Sequence, residues 1–164
     1  MATEAGATAP KLDLTLEDAE GAPHDLGAVI GPVLYGIYKS SCQASKNMFP
    51  FLERLHQRYG AAGLTVLGVA QDSANVTRSF ARRLGITFPM LIESDTFPVS
   101  RAFDIAATPT VYLVAADGTI AYTTMGFFKQ TLDQMGDAVT AAIGRDPEPL
   151  VTAADSEVPL FVPG

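Results

Sequence analysis

The hydrophobic pattern of this chain changes period several times, and each change marks an element. Lys11-Leu12-Asp13-Leu14-Thr15-Leu16 alternates polar and apolar residues, which predicts a half-buried strand, and Glu20-Gly21 supplies a turn. His24 to Ile30 then leads into Val33-Leu34-Tyr35-Gly36-Ile37-Tyr38, an unbroken run that predicts a strand buried on both faces. The opening therefore reads as an N-terminal β-hairpin covering a sheet.

Beyond Cys42 the period lengthens to that of a helix. Phe49, Leu52, Leu55, His56 and Tyr59 fall on one face, Lys46, Asn47, Glu53, Arg54, Gln57 and Arg58 on the other, and Gly60 and Gly63 end the helix. Leu64 to Ala70 predicts a second buried strand. Ser73 can cap a following helix with Val76, Phe80 and Leu84 on its inner stripe and Gly85 as terminator. Phe88 to Ile92 predicts a strand and Thr96 to Phe103 a short helix. Asp117-Gly118, between Val111–Val114 and Thr119–Tyr122, is a hairpin signal because both residues tolerate positive φ. Lys129 to Ile143 closes with a helix whose Leu132, Met135, Val139 and Ile143 face inward.

This order predicts an α/β domain around a central mixed β-sheet flanked by helices. The expected organisation is a flexible N-terminus over 1–10, one domain over 11–144 and an extended tail over 145–164. In that tail Pro147, Pro149, Pro159 and Pro163 exclude a helix or central strand.

Composition narrows the function classes. The 164 residues suit a single domain, and a formal net charge of −7 disfavours nucleic acid, which needs clustered cations to release counterions. Arg78, Arg82 and Arg83, the one basic cluster, read as a solvated helix face. The first ten residues carry an acid and no apolar run, so no secretory signal is read there, and no stretch approaches the ~20 apolar residues of a membrane span. The expected location is cytoplasmic, with no membrane partner.

The candidate chemistry sits in one residue. Cys42 is the chain's single cysteine, and it stands where the first buried strand passes through Lys39-Ser40-Ser41 into the long helix. A helix N-terminus presents unpaired N–H groups and a positive dipole end, which stabilise a thiolate over a thiol. The competing reading is an inert buried thiol acting as a small hydrophobe. Polar flanks at Lys39, Ser40, Ser41, Gln43 and Ser45 favour an accessible one. A lone sulfur cannot close an internal disulfide to release what it has captured, so the resolving thiol must come from elsewhere. Gln71 and Asp72 follow the second buried strand, at the same sheet edge as Cys42, where ligands gather in α/β sheets. His24 and His56 have no ligand partners at metal-binding spacing, and His56 reads as a packing residue. No glycine-rich phosphate loop is present, so no metal, flavin, nucleotide or other cofactor is expected.

Residues 10 to 143 resemble the thioredoxin-like superfamily, most closely its redoxin branch of TlpA-like and AhpC/TSA-like proteins. The motifs are Cys42 opening a helix after a central strand, Pro50 eight residues later, and Ala107-Thr108-Pro109-Thr110 ahead of the hairpin strand, which is similar to the family's cis-Pro loop. An inserted unit from Gly68-Val69-Ala70-Gln71-Asp72 through Phe88-Pro89-Met90-Leu91 matches the redoxins of the TlpA type. The resemblance implies a thioredoxin-like fold, a cis Pro109 against the sulfur, catalytic positions at Cys42 and Ser45, and substrate contacts at Ser41, Thr108 and Pro109.

Several positions depart from the family pattern. Ser45 replaces the second cysteine of CxxC, Ser41 a common tryptophan, and Gly36 a buried acid. Lys39 and Tyr35 hold the places of the hydroxyl and proline that precede a peroxidatic cysteine, so slow reaction with peroxide is expected. The function implied is a thiol oxidoreductase: Cys42 attacks a protein or small-molecule disulfide, or a peroxide, and an external thiol reductant resolves it. Ser45 is either an ordinary first-turn residue or a hydroxyl bonded to the thiolate. The rival readings are a non-catalytic peptide-binding module on the same scaffold, and a CxxC oxidoreductase carrying a Cys-to-Ser change at Ser45.

Overall fold

The computed structural model describes residues 4–164, so the first three residues of the expected N-terminal segment lie outside it. Strands β1 (Thr15–Glu17) and β2 (Pro23–Asp25) form the opening hairpin, with Leu16 opposite His24 and Gly21 at φ +86° in the turn. The strand is shorter than the alternating pattern suggested. Leu12 and Leu26 beside it are buried against the sheet, so the hairpin region does cover one sheet face.

The central sheet is built from β3 (Val33–Tyr38), β4 (Thr65–Ala70), β5 (Met90–Ile92), β6 (Thr110–Val114) and β7 (Ile120–Met125), in the order β5-β4-β3-β6-β7. Strands β3, β4 and β5 run parallel, while β6 is antiparallel to both β3 and β7. All six residues of β3 are buried, which is why its sequence shows no alternation. Helix α1 (Gln43–Tyr59), with Pro50 inside it, packs on one face through Phe49, Leu52 and Leu55. The other face buries Tyr35, Ile37, Leu67, Val69 and Tyr112 against α3 (Pro98–Phe103).

A row of small residues sets how closely α1 approaches. Gly36 lies opposite Gly68 in the β3–β4 register, and a Cβ at Gly36 would meet Leu52 Cδ1 at 2.7 Å and Phe49 Cζ at 3.1 Å. The position that holds a buried acid in the resembled pattern is filled here by helix side chains.

Helix α2 (Ala74–Leu84) begins at the expected cap, where the Ser73 hydroxyl accepts the Val76 N–H at 3.3 Å, and ends at Gly85. Its inner stripe differs from the reading by one residue. Thr77 and Phe80 are buried while Val76 is 44% exposed, because the Thr77 hydroxyl satisfies itself on the Ser73 carbonyl at 2.8 Å and can face the core. The closing helix α4 (Leu132–Ile143) follows a 3-10 turn at Lys129–Thr131 and buries Leu132, Met135 and Val139.

Both terminal segments are more engaged than expected. Gly6 donates to Ile120 O and Ala9 to Gly118 O, both at 2.8 Å, so residues expected to be flexible run along the β6–β7 hairpin. The C-terminal segment folds back over α1 rather than extending away. Leu150 is fully buried, its N–H donates to Asp133 Oδ1 at 2.7 Å, and Arg54 forms a two-pronged bond to Asp155 at 2.8 and 3.0 Å. Two short strands, β8 (Phe127–Phe128) and β9 (Phe161–Val162), pair antiparallel at the end of this path. Among the described residues no helix is long and apolar enough to cross a membrane.

Candidate active site

The sheet delivers Tyr38 to its carboxyl edge, and the chain must turn there to enter α1. It does so through Lys39–Ser41, with the Cys42 N–H returning to Lys39 O at 3.2 Å and the Ser40 N–H held by Asp72 Oδ2 at 2.7 Å. Asp72 thus follows β4 as expected and fixes the loop from the neighbouring strand. Gln71 is directed elsewhere, donating to the Ser100 hydroxyl at 2.9 Å.

Cys42 is the N-cap residue of α1, with extended backbone (φ −88°, ψ 123°) and no side-chain cap bond. Its thiol is half-buried and free, and donates to the carbonyl oxygen of Thr108 at 3.5 Å. The N–H groups of the first helical turn are left without intrahelical acceptors and converge on the sulfur's end of the helix. Thr108–Pro109 is a cis bond, as the resemblance implied, and a second one joins Gly31 to Pro32. The loop is tied down on both sides. Thr110 Oγ1 donates to Ala107 O at 2.6 Å, and the Gly126 N–H donates to Pro109 O at 2.8 Å.

The structure therefore brings Cys42, Thr108 and Pro109 together, with Ser41 exposed beside them. Ser45 is different. It is fully buried one turn into α1, and its Oγ has no hydrogen-bond partner, so the bond to Cys42 is not made. Tyr35 lies on the opposite face of the sheet, 5.7 Å from the Phe103 ring, and Lys39 is exposed. Neither histidine reaches the site: His24 binds Asp18 at 2.8 Å, and His56 packs edge-on to Phe88. No set of three or more metal-ligating side chains gathers among the described residues.

Two features of this edge escaped the sequence. Glu93, 1% exposed after β5, caps α3 by accepting Val99 N–H at 2.9 Å and Ser100 N–H at 3.0 Å, which locks the partner of Gln71. Lone acids after strands carry no pattern that would reveal this. The second is a groove of about 480 Å³ between the Cys42 loop and α2, lined by Ser40, Lys46, Val76, Phe80 and Arg83. Exposed Val76 is its clue.

The chain has known relatives. Residues 5–123 match the AhpC/TSA family. The chain belongs to that family. Curated relatives similar to it include the thiol-disulfide oxidoreductase ResA of Geobacillus thermodenitrificans, 30% identical over 73% of this chain and 68% of that protein. The thioredoxin-like protein YneN of Bacillus subtilis is 28% identical over 66% of this chain and 65% of its own length. Among solved structures, a thioredoxin family thiol:disulfide interchange protein from Chlorobium tepidum superposes with a TM-score of 0.71 at 17% identity, covering 86% of this chain and 100% of that one. A variant of Xanthomonas campestris peroxiredoxin Q gives 0.68 at 23% identity over 81% and 93%. These likenesses show that this AhpC/TSA member has a thioredoxin-like fold.

Proposed function

We propose that Cys42 is the nucleophile of a redoxin-type thiol oxidoreductase acting by thiol–disulfide exchange. The observation that carries this reading is the placement of a free, half-buried thiol at the mouth of α1 against the Thr108 carbonyl. The N–H groups of the first turn of α1 are left without intrahelical acceptors beside the sulfur, and the 108–109 loop offers backbone groups to an extended substrate. The ResA relative, named a thiol-disulfide oxidoreductase, supports the same chemistry.

The exchange proceeds in two displacements. The Cys42 thiolate attacks one sulfur of a substrate disulfide, forming a Cys42–substrate disulfide and expelling the other sulfur as thiolate. An external thiol then attacks the mixed disulfide and returns Cys42 to the reduced form. Ser45 cannot perform that second attack. Peroxide is the less favoured oxidant, because Lys39 and Tyr35 supply no hydroxyl or proline at the sulfur.

Turnover of a mixed disulfide between a peptide thiol and a chromogenic thiol, with an excess of a small monothiol, tests the reading. Cys42→Ser is expected to fall to the uncatalysed rate. Equal turnover by both proteins would overturn it.

A further inference from the structure

The carbonyl oxygen that accepts the Cys42 thiol has a second neighbour, and it comes from the far end of the chain. Gly164 packs so tightly on Thr108 that a Cβ built there would collide with that same oxygen and lie 3.7 Å from the Ala107 Cβ. The path to this contact is short and specific. Lys129 N–H donates to Leu160 O at 2.9 Å, Phe161 pairs with Phe128 and Val162 with Phe127, and Gly126 faces both Val162 O and Gly164 N at 3.5 Å from its own would-be Cβ. The two-residue strand Phe161–Val162 therefore brings Gly164 onto the 108–109 loop, the position in which the proposed function places a substrate chain.

The strap has a firm root and a light tip. Its root is held by buried Leu150 and by the Arg54–Asp155 pair, while Lys129 Nζ donates to Asp155 O at 2.6 Å. Its tip has two paired residues, and the Phe128–Phe161 ring contact at 4.7 Å leaves Phe161 52% and Leu160 68% exposed. So little buried apolar surface gives a segment that opens at low cost while its anchor stays in place. The strap contains no cysteine, so it lies against the 108–109 loop without reacting.

We propose that residues 158–164 are a built-in stand-in for substrate, which lies on the 108–109 loop beside Cys42 and makes the site selective. Small disulfides reach the sulfur past the strap. Extended protein disulfides do so only when it lifts. This rests on the reading of Cys42 as an exchange nucleophile, since the strap restricts access to that sulfur.

The test compares the full chain with its Phe161→Ala/Gly164→Val variant, which removes the ring contact and drives a side chain against the Thr108 carbonyl. Both residues lie at the surface, and matching thermal unfolding midpoints confirm that the domain is intact. Two second-order rates are measured: alkylation by iodoacetamide, and exchange with an unstructured peptide carrying a chromogenic mixed disulfide. In the exchange the Cys42 sulfur bonds to the peptide sulfur and the chromogenic thiolate leaves. A strap closed about nine-tenths of the time predicts a rise of about tenfold in the peptide rate and a change below about twofold for iodoacetamide. An unchanged peptide rate with normal alkylation would overturn the strap alone, and so would equal acceleration of both reagents. A Cys42 inert to both reagents in both proteins would overturn the exchange reading and the strap with it.

Discussion

Cys42 and Thr108 are 66 positions apart in sequence, yet the thiol of one donates to the carbonyl of the other at 3.5 Å. The contact joins the helix mouth to the cis-Pro loop, and under the proposed exchange it marks where a substrate sulfur arrives. The Cys42 thiol and Gly164 meet at that one oxygen, while Ser45, one turn into the helix, makes no hydrogen bond to the thiol.

Ser45 separates a chemical role from a packing role. Its buried hydroxyl lacks a partner, so Ser45→Ala is expected to alter stability by less than about 1 kcal/mol, with any gain coming from the removed desolvation penalty. The Cys42 alkylation rate should be unchanged. Ser45→Cys instead supplies a second sulfur one turn away and should reduce insulin disulfides with a small dithiol faster than the present chain, whose mixed disulfides persist until an external thiol resolves them. Equal turnover by both would show that external resolution is not limiting.

Gly36 tests the packing beneath the site. With Leu52 Cδ1 at 2.7 Å from a would-be Cβ, Gly36→Ala should cost about 1–3 kcal/mol in urea unfolding. Gly36→Asp should cost at least about 3 kcal/mol, because it would bury an uncompensated charge as well. An unaffected Asp variant would mean that α1 can move off the sheet.

The root of the strap should loosen in acid. The Arg54 guanidinium, followed by the Thr152 N–H and hydroxyl, holds the Asp155 carboxyl down to about 2, below its ordinary 3.8. A depressed value in the folded state means that this stabilisation is complete above 3.8 and is lost as pH falls towards 2. Hydrogen exchange at Leu150 to Thr152 should accelerate across that window in the parent chain. Arg54→Met should exchange faster already at neutral pH and respond less to acid. Identical profiles would disconnect the ion pair from the tail.

Legibility followed how local each signal was. Strands β3 and β4 are legible as unbroken apolar runs, so the α/β order could be read from the pattern itself, whereas the meeting of Cys42 with Thr108-Pro109 was implied only by the resemblance of those short motifs to the redoxins. Val76 and Thr77 show where the pattern fails, since a threonine that bonds to its own helix backbone can take the core position and rotate a valine outward. The C-terminal segment failed for a different reason. Leu150, Val158 and Val162 are isolated among prolines without a period, and their anchors, Arg54 and Asp133, belong to helices far away in sequence.

The central claim is that Cys42 exchanges with disulfides and relies on an external thiol for release, and intact-mass spectrometry tests it most directly. Incubation of the native protein with glutathione disulfide should add one glutathionyl group at Cys42, absent in Cys42→Ser and removed by excess small thiol. A native protein that stays unmodified under conditions that label the unfolded chain would contradict the account.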